Sequence, residues 1–175
     1  MEIRIDEKTF ENEIEFNEII KDIISNTTVQ KMKDIPQHCN TNCFNHCKQV
    51  AFYCYKICKK LNLDYVSSAR AGMLHDLFLY NWRDKTVHRK GLHAFTHGKT
   101  ACENACKEFD LNEKEKDMII KHMWPLTLSI PKSKEGVILT FVDKFCALSE
   151  SLSYISSKKL IRYAYLAMCV FFIKI

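Results

Sequence analysis

Glycine and proline are scarce in this chain, with 4 and 3 among 175 residues. That scarcity excludes collagen-like and low-complexity structure and leaves too few turns for a sandwich or barrel of many short strands. Long apolar runs are missing too. The longest, Tyr163 to Ile173, is eleven residues, well short of the roughly 20 that a membrane-spanning helix needs, and it reads as a buried helix. Met1 to Glu15 alternates charged and apolar residues without an uninterrupted apolar stretch, so no secretory signal and no membrane partner are expected, and the expected location is the cytoplasm. No charge of one sign dominates: 26 Lys plus Arg stand against 21 Asp plus Glu, a net charge of +5. Most of the cations are lysines scattered along the chain, without a basic stripe interleaved with aromatics, so nucleic-acid binding is not expected. A small phosphate-bearing substrate would still be attracted.

What the chain does have is apolar substance, 47% of its residues. A single domain of this length removes roughly 70% of its unfolded surface from water and needs no staples. With no repeat and no linker, the expectation is one all-α bundle over 1–175. Its ligand-bearing core would span about 40–150, with helices from 7–35 and 158–175 packed on it.

Apolar spacing places the helices. Phe10, Ile14, Ile20, Ile23 and Ile24 mark one face of an N-terminal helix, and a short second one follows from Thr28 to Ile35 before Pro36. Cys43, Cys47, Val50, Cys54, Ile57, Cys58 and Leu61 recur every three or four residues, the pattern of an amphipathic helix. Asp64 reads as the N-cap of a central helix running through Ala69, Met73 and Leu77 to Tyr80, and Trp82 to Gly91 reads as a loop. Helix is expected again from Ala94 to Phe109, and Asn112 with Glu115 has the spacing of a capping box opening a helix to Met123. Pro125 and Pro131 bracket an extended connection before helices from Ser133 to Tyr154 and from Lys158 onward.

Nine cysteines in a chain expected to remain in a reducing compartment are packing residues or metal ligands rather than disulfides. Cys39, Cys43 and Cys47 near His38 and His46 raise a zinc or iron-sulfur alternative. Three ligands stepping along one helix face do not match either pattern, and buried thiols between helices explain them, as they do Cys54 with Cys58 and Cys102 with Cys106.

The chemistry is concentrated in His46, His75-Asp76, His97, His122 and Asp143, all on or at the ends of expected helices. Asp76 sits in Ala-Gly-Met-Leu-His-Asp-Leu-Phe-Leu, where an ionised carboxylate costs several kcal/mol unless neutralised. A metal ion is the simplest partner, and imidazole with carboxylate suits Fe, Mn, Co, Ni or Zn. A lone helical histidine is more often a hydrogen-bonded core or surface residue; the joint pattern is what stands out.

That pattern resembles the HD-domain metal-dependent phosphohydrolases. Their signature is a His, here His46 in Phe-Asn-His-Cys, a His-Asp doublet, here His75-Asp76, and a distal Asp, here Asp143 in Thr-Phe-Val-Asp-Lys. The resemblance covers about 40–150 and implies an all-helical fold with ligands converging from several helices. His97 and His122 look like the extra ligands of the dinuclear subgroup, and the similarity extends to the bacterial branch with symmetric diadenosine tetraphosphate hydrolases. It implies two divalent transition-metal ions, Fe or Mn first, with Co, Ni or Zn as alternatives. His46, His75, Asp76 and Asp143 would hold one ion; Asp76, His97 and His122 would hold the other.

On this reading Asp76 is the catalytic bridge, and a metal-bridged hydroxide attacks a phosphate ester or anhydride, with a nucleotide as the expected small-molecule partner. Lys144, Arg83 and Lys99, the cations nearest the ligands in sequence, are candidate phosphate contacts. His93 shares a face with His97 if that helix starts early, and then acts toward the substrate or behind the ligands. His88 and His38 read as surface residues. Two other classes compete: a non-catalytic module that senses nucleotides or binds proteins, and a purely structural helical protein. The apolar C-terminal helix either closes the monomer or forms a homodimer contact.

Overall fold

The computed structural model describes residues 7–37, 41–84 and 91–153. Among them the chain is all-α: α1 Glu7–Ile19, α2 Lys21–Ser25, α3 Thr27–Gln30, a 3₁₀ turn Lys31–Asp34, α4 Cys43–Lys60, α5 Tyr65–Leu74, α6 His93–Glu108, α7 Glu113–Lys121 and α8 Lys134–Ser153. The only strand-like pairing among them is an isolated antiparallel bridge between Pro36 and Asn42. The expected helix from Lys158, together with His38, Cys39, His88 and Cys169, lies outside the described residues.

Local chemistry sets the helix ends. Asn42 opens α4 by accepting from the Asn45 amide at 2.9 Å, which satisfies one of the orphan donors of the first turn. Asn62, at φ 53°, closes it: Asn62 N donates to Lys59 O and Leu63 N to Cys58 O, the doubled bond pattern that satisfies the last carbonyls. Asp64 caps α5 by accepting from Ser67 N at 3.0 Å. The Asn112 capping box at α7 is complete, with both reciprocal bonds at 2.9 Å.

The core lies where α4 and α5 cross, with α7 and α8 closing over them. Val50, Ala51, Met73, Leu74, Met118, Ile119, Leu139 and Val142 are buried there. Two glycines permit the closest approaches. A Cβ on Gly72 would stand 2.7 Å from the Ala51 Cα, and one on Gly98 would stand 2.9 Å from Ile120 O. Those distances fix how near α5 can come to α4, and α6 to α7.

Several expected boundaries differ. The N-terminal helix is broken at Ile20, whose φ and ψ are −103° and 8°; Phe16 takes the core position, and Ile14 is 51% exposed. The second N-terminal helix ends in the 3₁₀ turn. The central helix stops at Leu74 instead of Tyr80, without glycine or proline. Its end is completed by distant groups: Asn104 Nδ2 donates to Leu77 O at 2.9 Å, the Cys43 thiol donates to Asp76 O at 3.2 Å, and Leu79 turns through φ 58°. The connection after His122 begins as consecutive turns, with Thr127 N donating to Met123 O at 3.1 Å; it is not extended throughout. The described cysteines are free thiols and all but Cys106 are buried, so core packing accounts for the rest.

Candidate metal centre

Six side chains from five regions meet in the interior. His46 comes from the first turns of α4, His75 and Asp76 from the end of α5, His97 from α6, His122 from the end of α7 and Asp143 from α8. All six are buried. Because α5 stops at Leu74, the doublet sits on the turn beyond the helix, where consecutive residues can both face inward. Within a helix they would diverge by about 100°.

The four imidazoles share one tautomer for a geometric reason. His75 Nδ1 lies 2.8 Å from Gly72 O, His97 Nδ1 2.7 Å from His93 O and His122 Nδ1 2.8 Å from Ile119 O. A carbonyl only accepts, so each Nδ1 carries the hydrogen and each Nε2 turns a lone pair inward. His46 does the same through Glu150 Oε1 at 3.0 Å. Fixing the outer nitrogen in this way is how proteins orient imidazoles toward a metal.

The two carboxylates face those lone pairs. Asp143 Oδ1 is 3.1 Å from His46 Nε2 and 3.4 Å from His75 Nε2. Asp76 divides its oxygens: Oδ1 is 3.3 Å from His97 Nε2 and 3.6 Å from His122 Nε2, while Oδ2 is 3.6 Å from His75 Nε2. Two groups therefore have metal-ligand spacing, His46-His75-Asp143 and His75-Asp76-His122.

Asp76 Oδ1 and His75 Nε2 are buried with no hydrogen-bond partner. His97 Nε2 and His122 Nε2 lie 2.8 Å apart, two lone pairs facing each other, close to the roughly 3 Å between nitrogens sharing one ion through bonds of about 2.1 Å. Only a proton or a cation makes that contact favourable, so the donor set fits divalent metal.

The electrostatics say the same. Burial pushes Asp76 and Asp143 toward protonation, but the surrounding imidazoles outweigh it and hold both carboxyls below their usual range. Burial opposes protonation of His46 and His97, yet hydrogen bonds to Asp143 and Glu150 in one case, and the adjacent Asp76 carboxylate in the other, raise both. His75 is likewise raised against its burial, by Asp76 and Asp143 among others. His122 is lowered to about 3 by burial and by neighbouring His75 and His97. Two buried carboxylates thus draw positive charge toward themselves.

The other candidate residues are placed unequally. Lys144 Nζ donates to His122 O at 2.9 Å, bracing the end of α7 beside the cluster, and burial lowers its pKa despite Asp143 and Asp76. Arg83 donates to the Gln37 carbonyl and lies over the Trp82 ring. Lys99 is not brought to the cluster: its side chain is 77% exposed and pairs with Glu103, because two residues beyond His97 is about 200° around the helix. His93 begins α6 and stacks on His97 at 4.5 Å, with Trp82 stacked on it at 5.6 Å and the Tyr80 hydroxyl 2.9 Å from its Nδ1.

Sequence reasoning missed two residues. Glu150 lies two helical turns beyond Asp143, a spacing that was there to be read. Gln37, whose Nε2 donates to Asp76 Oδ2 at 2.6 Å, comes from an irregular segment that carries no periodic signal.

An all-helical bundle in which histidines and aspartates from separate helices enclose a buried cation site is a metal-dependent hydrolase scaffold. The family model of the HD domain matches residues 43–148, and the chain belongs to that family, whose members are generally metal-dependent phosphohydrolases. Comparisons with curated proteins and with solved structures return no match. Among the described residues no helix is long and apolar enough to cross a membrane.

Proposed function

We propose that this chain hydrolyses a phosphate ester or anhydride of a nucleotide at a centre of two divalent transition-metal ions, Fe or Mn first, with Co, Ni or Zn as alternatives. His46, His75, Asp76 and Asp143 would hold one ion, and Asp76, His97 and His122 the other. The observation carrying this reading is the division of Asp76, one oxygen toward His97 and His122 and the other toward His75. The interposed His97 and His122 also support assigning the chain to a dinuclear branch like that with symmetric diadenosine tetraphosphate hydrolases.

When bound, such ions would activate water as the nucleophile and neutralise phosphoryl charge. Hydrolysis then adds one water across a phosphorus–oxygen bond: hydroxyl goes to phosphorus, and the proton to the departing oxygen. The protein's share is positional. The outer hydrogen bonds of His46, His75, His97 and His122 keep their Nε2 atoms aimed inward, and burial excludes bulk water. Arg83 and Lys144 would be the cations offered to the phosphate oxygens, and His93, stacked on His97, would act toward the substrate or behind the ligands. No protein nucleophile is required, so no phosphoenzyme forms.

The test is a hydrolysis screen of nucleoside mono-, di- and triphosphates, dinucleoside polyphosphates and an aryl phosphate with iron, manganese, cobalt and nickel, run beside Asp76→Ala. Metal-dependent turnover, with one heavy-oxygen label from solvent in a phosphorylated product, is the expected result. Tight binding of a nucleotide that raises thermal stability, with no turnover above the Asp76→Ala background, would overturn hydrolysis in favour of sensing.

A further inference from the structure

Gln37 is held from several sides before its side chain does anything. Its amide donates to Thr41 O at 2.9 Å, Cys43 N donates to Ile35 O at 2.9 Å, Pro36 pairs with Asn42, and the Gln37 carbonyl accepts from Arg83. Gln37 is thereby held in place ahead of α4. Gln37 is 5% exposed and its Nε2 lies 2.6 Å from Asp76 Oδ2. A metal-binding carboxylate only accepts, so the amide nitrogen must face Asp76 and the amide oxygen must face elsewhere. That oxygen, Oε1, is buried and has no partner among the described residues. A buried acceptor without a donor is destabilising, and a donor bound beside Asp76 would relieve it.

We propose that Gln37 is a positioning residue of this centre: Nε2 fixes the plane of the Asp76 carboxylate, and Oε1 accepts a hydrogen from the attacking water and orients its oxygen toward phosphorus. The inference rests on the hydrolase reading above and adds a residue that lies outside the 43–148 family match. The amide is suited to both tasks, because it donates and accepts without titrating, and it leaves the charge of the site unchanged. A residue that only packed the loop would need neither the short bond to Asp76 nor a buried, unpaired oxygen.

The decisive variant is Gln37→Met, which keeps the length and bulk and removes both polar atoms. With iron or manganese bound, kcat should fall about 10–100-fold while KM stays within about twofold, and release of metal to a chelator should quicken by about tenfold or more. Gln37→Asn, which keeps the amide but withdraws it by one methylene, should fall between. A folded Gln37→Met protein matching wild type in kcat and chelator release would overturn the proposal. Should Gln37→Met fail to fold, a folded Gln37→Asn protein with wild-type values for both would overturn it equally. The two readings fail differently: wild type that retains metal but turns over nothing removes the hydrolase reading, whereas faster metal release from Gln37→Met in that same protein still supports the Asp76 contact.

Discussion

At Asp76 one carboxylate oxygen faces His97 and His122 and the other faces His75, and nothing else among the six residues is divided in this way. Asp76→Ala should therefore abolish hydrolysis and strip most bound metal, measured by elemental analysis of protein purified with metal retained. Lys99→Ala, at an exposed position, should keep turnover within about twofold. Full turnover by Asp76→Ala would remove the mechanism. Glu150 acts one bond further out, since its Oε1 holds His46 Nδ1. Glu150→Ala frees that ring to rotate or change tautomer, and the expected loss is about 10–100-fold in metal affinity. Competition against a metal indicator would show it, and unchanged affinity would mean that packing alone orients His46.

The candidate ligands sit on or at the ends of helices whose spacing is set by small residues. Gly98 packs against the carbonyls of Ile119 and Ile120, and a Cβ there would also stand 3.3 Å from His122 Cε1. Ile119 O is the acceptor that fixes the His122 tautomer, so pushing α6 from α7 disturbs His97 and His122 together. Gly98→Ala should cost roughly 1–3 kcal/mol, a fall of about 2–4 °C in Tm per kcal/mol. If two ions bind as proposed, it should also lower metal content toward one, because His46, His75 and Asp143, on α4, at the end of α5 and on α8, lie outside the α6–α7 contact. Full retention of two ions with an unchanged Tm would show that α6 and α7 can part without cost.

For the whole molecule, a bound metal would tie together helices that otherwise meet around two buried carboxylates. Without metal, protons on His46, His75 and His97 supply the positive charge, and their pKa values lie above the usual imidazole range. Above the unfolded value of about 6.5 the native state then holds more protons than the unfolded chain. This share of stability is fully present below that value and is lost as pH rises through the raised folded values. Metal binding has the opposite dependence, since it needs those imidazoles neutral. The rise in Tm on adding metal should therefore widen from about pH 6 to about pH 8. His122, lowered to about 3, stays neutral throughout and competes for no proton there. A metal-induced rise that is flat or narrows with pH would contradict the ligand set.

Much of this was legible without coordinates. Scarce Gly and Pro, three-and-four spacing of apolar residues, Asn and Asp at the caps, and His-Asp in an apolar stretch dictate an all-α chain with a buried cation site, because those signals are local and act within one or two turns. The end of α5 at Leu74 was not legible, since it depends on Asn104 and Cys43 reaching in from other helices. Nor was the role of Gln37, which lies 39 positions from Asp76 on a segment without periodicity. Lys99 and Arg83, each close to a ligand in sequence, parted company for the same reason. Spacing along a helix says which residues share a face, but which faces enclose the site follows from how closely Gly72 and Gly98 let the helices approach.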